Sequence, residues 1–272
     1  MCGIAGIIAH DPVRVNEHRL GEMTRSIAHR GPDGEGRWIN SAGQVGLGHR
    51  RLAIIDLSEA AAQPMHYRSR YTIVYNGEIY NYRELKATLQ QKGYIFYTQS
   101  DTEVLLALYD CYRIDSLSML DGMFAFAIWD EEEQQLFAAR DRLGEKPFFY
   151  YVDEQQFVFA SEMKALWAAG IGRSMNEQML YNYLTLGYTQ NPQNPAETFY
   201  STIQKLPARS YLLYSLPNHR LTTHTWWQCG VAEINTGISD GEAVERFGAY
   251  LTESVARRLR SDVAVGSSLS GG

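Results

Sequence analysis

The sequence predicts an α+β fold dominated by antiparallel strands, with room for one large domain or two smaller ones in 272 residues of 45% hydrophobic content. Two observations point to sheet. Aromatic residues make up 12% of the chain, 18 of them tyrosine, and rings fit a pleated, half-buried surface. Short β-branched and aromatic runs also recur with polar or charged turns between them, which reads as hairpins.

Residues 3–9 form an apolar run with glycines, suited to a buried strand that lets another backbone come close. Leu20, Met23 and Ile27 then repeat at helical spacing, and Arg30-Gly31-Pro32-Asp33-Gly34-Glu35-Gly36 breaks the pattern as a loop. Residues 38–40, 45–56 and 71–75 read as strands. A helix is expected over 82–91, with Leu85 and Leu89 on one face and Gly93 as its stop. Ser100-Asp101-Thr102-Glu103 has the form of a capping box and opens a second helix through Val104, Leu105, Leu108 and Tyr112.

Strands follow at 123–129, 135–139, 148–152 and 157–160, then helices at 163–169 and 178–186, with Pro192 and Pro195 in an exposed loop. Residues 210–216 and 221–227 suggest a last hairpin around Pro217-Asn218. The apolar pattern fades over 228–239, as in a linker. Val244, Phe247, Leu251, Val255 and Leu259 then stripe one side of a helix, and residues 263–265 read as a strand before Ser270-Gly271-Gly272. One helix and one strand cannot bury their own apolar faces, so 241–272 reads either as the opening of a second domain or as a Gly/Ser tail.

The formal charge of −6 leaves no electrostatic footprint for nucleic acid or an anionic membrane. Cys2, Cys111 and Cys229 are too scattered for a disulfide framework or a zinc site, and the seven histidines lack metal spacing. There is no basic leader, and no run approaches the ~20 apolar residues of a membrane span. The expectation is a cytoplasmic protein that acts on small molecules.

Chemistry enters at Met1-Cys2-Gly3. Removal of Met1 would leave a thiol and an α-amine on one residue, a nucleophile and a base that titrates near ~7.7–8.0. The plain alternative is a small buried cysteine at the start of a core strand. Asn76-Gly77 is either a type I′ hairpin turn or a side-chain amide and a backbone N–H aimed at an oxyanion. Arg50 and Arg51 are adjacent in a strand and must point to opposite faces, so one is solvated while the other can grip a carboxylate. Asp101 either caps its helix or accepts from an ammonium, and with Arg51 it would read both charges of a free amino acid. The charged turn Arg140-Asp141-Arg142-Leu143-Gly144-Glu145-Lys146-Pro147 reads as structural.

Together these segments, with His29-Arg30-Gly31-Pro32-Asp33, Gly122-Met123-Phe124-Ala125-Phe126-Ala127 and Ser161-Glu162-Met163-Lys164-Ala165, resemble the glutamine-hydrolysing asparagine synthetases. The first half of those proteins is a class II glutamine amidotransferase of the N-terminal-nucleophile hydrolase type. The resemblance implies a four-layer αββα sandwich over 2–227, a linker over 228–240, and the start of an ATP pyrophosphatase-type α/β domain over 241–272. It implies Cys2 as nucleophile, Asn76 and Gly77 as oxyanion donors, Arg51 on the glutamine carboxylate, and Asp101 with Glu78 on its amino end. Leu52, Ile54 and Ile55 would line the pocket, and Ser270, Gly271 and Gly272 would begin a nucleotide-binding loop.

Glutamine hydrolysis then needs no cofactor, whereas ATP, Mg2+ and aspartate belong to the synthetase part; a homodimer is left open. The competing readings are an amidotransferase for another carboxylate, a non-catalytic relative, and an acylase or peptidase of the same nucleophile class.

Overall fold

The computed structural model describes residues 1–230 and 237–266. The chain opens with strand β1 (Gly3–Ala9), helix α1 (Glu17–Ser26) and strands β2 (Gly34–Ile39), β3 (Val45–Arg51), β4 (Met65–Tyr67) and β5 (Tyr71–Ile79). Helices α2 (Tyr82–Gln91), α3 (Asp101–Tyr112) and α4 (Ser116–Met119) precede strands β6 (Gly122–Asp130), β7 (Gln135–Arg140), β8 (Phe149–Val152) and β9 (Gln156–Ala160). After α5 (Met163–Ala168) and α6 (Glu177–Leu186) come β10 (Gln204–Lys205), β11 (Ser210–Ser215), β12 (Arg220–Thr225) and α7 (Asp240–Arg258).

Two antiparallel sheets form, in the orders β10-β8-β9-β1-β3-β2 and β12-β11-β7-β6-β5-β4. Side chains alternate along each strand, and the sequence uses both faces. In β1, Ile4 and Ile8 point into the space between the sheets, where they join Leu47, Val74, Ala127 and Trp129. Ala5 and Ile7 point the other way, onto Met23, Ile27 and Leu166 in the layer of α1 and α5. On the second sheet, Ile73, Tyr75, Ile79 and Phe126 pack against Leu85, Leu89, Val104 and Leu108 of α2 and α3. The result is the expected αββα sandwich.

Several local expectations change. β2 begins at Gly34, inside the stretch assigned to a loop, because three successive residues from there pair with Arg51, Arg50 and His49 of β3. β3 stops at Arg51 rather than 56, and β5 runs on to Ile79, so Asn76-Gly77 lies within a strand opposite Ala125 and Phe124. That rules out the hairpin turn. Two short strands, β4 and β10, carry too few residues for a pattern and were not expected.

Ser100 does cap α3, accepting from Thr102 N, but the Glu103 carboxylate turns to the Tyr97 and Thr98 amides instead of closing a box. Residues 263–265 form no strand, since no neighbouring strand among the described residues offers them a ladder. The apolar stripe of α7 is solvent-exposed. Ser270, Gly271, Gly272 and part of the expected linker lie outside the described residues.

Candidate active site

The strand period places the key side chains. Arg51 shares the inter-sheet face of Val45 and Leu47, and Asn76 shares that of Val74. Arg50 faces outward, donating to Thr24 O at 3.1 Å and pairing with Glu35 at 2.7 Å. Cys2 precedes Gly3 in register with Ile4 and enters the same space from the opposite sheet. All the catalytic and glutamine-binding residues named from the sequence, from Cys2 to Asp101, line one cavity of about 120 Å3. Met1 caps this cavity with 56% of its surface exposed.

The charged motifs fasten this arrangement. Arg30 Nε donates to Cys2 O at 2.9 Å while its Nη1 pairs with Glu162 at 2.9 Å. Ser161 Oγ accepts from Ile4 N at 3.0 Å. Gly31 lies so close to the backbone of Arg50 and Arg51 that a Cβ there would sit 2.3 Å from Arg50 C. Asp33 then accepts from Ala53 N at 2.9 Å. After β3 the chain has no ladder, so this contact helps fix the stretch whose Leu52 N–H reaches Cys2 Sγ at 3.3 Å. The Arg51 guanidinium is aimed by Ser58 O at 2.8 Å and by Asp56 O.

One edge of β5 presents donors to the cavity. Tyr75 N is taken by Gln63 Oε1 at 2.6 Å and Ile79 N by Asp101 Oδ2 at 3.0 Å. Between them the Gly77 N–H points to the same edge, because the opposed Phe124 uses its own N–H and C=O on Asp141. Beside it, Asn76 Nδ2 is fully buried and has no partner among the described residues. A buried amide donor left unpaired is costly, and two donors converging on one cavity suit an oxygen that becomes negative.

Charge is shaped mainly by desolvation. Burial raises Asp101 to about 6, against hydrogen bonds from Ile79 N and Tyr75 Oη that stabilise its carboxylate. Burial raises Glu78 as well, with the nearby Asp101 charge adding to it. The Cys2 thiol is also raised by burial, partly offset by the Leu52 backbone, and burial lowers the Met1 amine.

Lys146 was not expected here. Its turn is rigid: the Asp141 carboxylate accepts from the amides of Leu143, Glu145 and Lys146, while Arg140 grips Lys146 O at 2.6 Å and Leu206 O at 2.8 Å. The ammonium is thereby carried into the cavity, where its Nζ lies 2.9 Å from Met1 Sδ and burial lowers its pKa. Within an otherwise charged turn, nothing in the local sequence singles out this lysine as the inward-facing one. Tyr75, Gln63 and Thr102 were missed too; they act by holding Asp101 and the β5 edge. Among the described residues no cluster of three His, Cys, Asp or Glu side chains suits a metal ion.

The chain is similar over its full length to longer proteins. It is 37% identical to a putative glutamine-hydrolysing asparagine synthetase 2 of Methanocaldococcus jannaschii, covering 100% of this chain and 55% of that one. It is also 37% identical to the glutamine-hydrolysing asparagine synthetase 1 of Bacillus subtilis, covering 100% of this chain and 42% of the relative. The chain thus spans about half the length of the curated relatives it matches. The solved glutamine phosphoribosylpyrophosphate amidotransferase of B. subtilis shares the fold, with a TM-score of 0.60 and 22% identity over 84% of this chain and 50% of that one. With residues 1–227 matching the glutamine amidotransferase domain, the chain belongs to the glutamine amidotransferase domain family.

Proposed function

We propose that the chain hydrolyses glutamine to glutamate and ammonia through a thioester on Cys2. The observation that carries this reading is the buried Asn76 Nδ2, without a hydrogen-bond partner among the described residues, in the cavity that holds the Cys2 thiol. Once Met1 is removed, the α-amine of Cys2 takes the thiol proton and the sulfur attacks the side-chain amide carbon of glutamine. Asn76 Nδ2 and Gly77 N–H receive the oxyanion. As the tetrahedral intermediate collapses, the amine returns the proton to the leaving nitrogen and ammonia departs. Water then attacks the thioester, giving its proton to the amine, and glutamate leaves as the thiol re-forms. Arg51 holds the substrate carboxylate, while Asp101 and Glu78 hold its ammonium.

In a longer protein the ammonia would serve ATP-dependent conversion of aspartate to asparagine, a reading supported by the names of the relatives. Its expected nucleotide loop falls outside the described residues.

An electrophilic glutamine analogue tests the site. One equivalent should attach to the peptide that begins with Cys2, and excess glutamine should protect it. Cys2→Ala should abolish ammonia release with the fold intact, and Arg51→Ala should raise the glutamine KM far more than Arg50→Ala. Labelling at Cys111, or none in a folded sample freed of Met1, would overturn the proposal. Transfer of amide 15N from glutamine into asparagine by a protein extended beyond Gly272 tests the acceptor.

A further inference from the structure

We infer that residues 257–262, beyond the matched amidotransferase region, form a working part of the glutamine pocket, with Arg260 and Asp262 as positioning residues for Arg51. The inference rests on the glutaminase reading above.

The stretch 52–58 carries one wall of the pocket yet belongs to no strand. On its inner side Asp33 holds Ala53 N. On its outer side Asp262 holds it twice: Asp262 N donates to Ile54 O at 3.0 Å, and Asp262 Oδ2 accepts from Asp56 N at 2.7 Å. Asp56 sits at φ +50, a conformation that non-glycine residues seldom adopt and that its surroundings must impose. Its side chain is occupied by the amides of Gln99 and Ser58. Its carbonyl, with that of Ser58, aims the Arg51 guanidinium. The backbone that Asp262 grips is therefore the backbone that aims Arg51.

Asp262 is itself anchored on the other pocket wall. Arg260 forms a bidentate pair with Glu84 at 2.7 and 2.6 Å and donates to Tyr80 O at 2.6 Å. Arg257 reaches Asp121 at 3.0 Å, and the Arg258 guanidinium lies 4.7 Å from the centre of the Tyr80 ring. Tyr80 follows Ile79, whose amide holds Asp101. A single short segment thus spans the wall that carries Arg51 and the wall that carries Asp101. It is the route by which a change in whatever follows α7 would alter affinity for glutamine.

The test uses the full chain after Met1 removal. Loss of these contacts in Arg260→Met/Asp262→Ala should raise the glutamine KM by about tenfold, each charge-assisted bond being worth of the order of a few-fold at such a partly exposed site. kcat should stay within about twofold, since Cys2, Asn76 and Gly77 are untouched. Asp262→Asn keeps an acceptor for Asp56 N and should restore KM to near the wild-type value. Arg246→Ala, on the exposed face of α7, should change neither constant. In Arg51→Lys the further effect of the double substitution should shrink, since both act through one guanidinium.

An unchanged KM in the double variant, a loss confined to kcat, or no rescue by Asp262→Asn would overturn the inference. Absence of analogue labelling at Cys2 in the wild type would instead overturn the glutaminase reading.

Discussion

Asp101 has two duties that pull on its proton in opposite directions. Burial lifts its carboxyl to about 6, while Tyr75 Oη and Ile79 N stabilise the ionised form that the proposed ammonium contact requires. Glutamine KM should therefore rise as the pH falls below about 6, while kcat falls separately as the Cys2 α-amine takes up a proton, and Asp101→Asn should show a high, flat KM across the same range. Steady-state profiles from pH 5 to 8 measure this. Lys146 holds a buried ammonium whose pKa is lowered by desolvation and whose one hydrogen-bond partner, among the described residues, is the Met1 thioether. The fold resists protonating it more than the unfolded chain does, so at neutral pH the group costs stability. Lys146→Met should raise the melting midpoint by ~2–4 °C, equivalent to roughly 1 kcal/mol in a domain of this size. If activity drops at the same time, the lysine is kept for the site rather than for the fold.

At the scale of elements, β5 and β6 are drawn together at two glycines. A Cβ on Gly77 would meet Met123 O at 2.3 Å and Phe124 Cα at 2.8 Å, and one on Gly122 would meet Glu78 O at 2.3 Å. All three atoms are backbone, so none can swing aside. Gly77→Ala should therefore push β5 from β6, lower the melting midpoint, and cut glutamine hydrolysis by about 10²-fold through displacement of the oxyanion donors. Comparing hydrolysis with analogue binding separates the two effects, because Arg51 is held by the Asp56 and Ser58 carbonyls and not by β5. That Arg50 and Arg51 point to opposite faces was readable from strand alternation, whereas the inward role of Arg51 came from the resemblance; the structure places Arg51 on the face of Val45 and Leu47. Lys146 was not readable in the same way, because its turn has no period and Asp141 and Arg140 decide its direction through contacts outside any repeat.

Across the whole molecule the two sheets meet at His49, whose Nε2 lies 3.1 Å from Tyr75 O and whose pKa burial lowers to about 3. Between about 6.5 and 3 the unfolded chain binds a proton that the fold excludes, so this contribution to stability is present above about 6.5 and lost as the pH falls. Asp101 works the other way: from about 6 down to 3.8 the fold binds its proton first, and stability is regained. The two offset one another in the wild type. In Asp101→Asn only the histidine term remains, so stability should fall more steeply with acid, by up to about 1.4 kcal/mol per pH unit. Denaturant midpoints at pH 4.5, 5.5 and 7 in the two proteins check this.

The sequence by itself determined the strand alternation, and with it that Arg50 and Arg51 point to opposite faces, because side chains in a strand must alternate. Its ordered motifs also singled out Cys2, Arg51, Asn76, Gly77, Glu78 and Asp101, which line one cavity. What lies across the chain was decided only by the tertiary structure. That Asn76-Gly77 lies inside a strand depends on Phe124 and Ala125, almost fifty residues away. That Lys146 faces the Cys2 cavity depends on a turn locked by Asp141. That Asp262 braces the wall carrying Arg51 depends on a contact between residues 206 positions apart. Such contacts form only when sheets and helices stack, and local spacing carries no record of them.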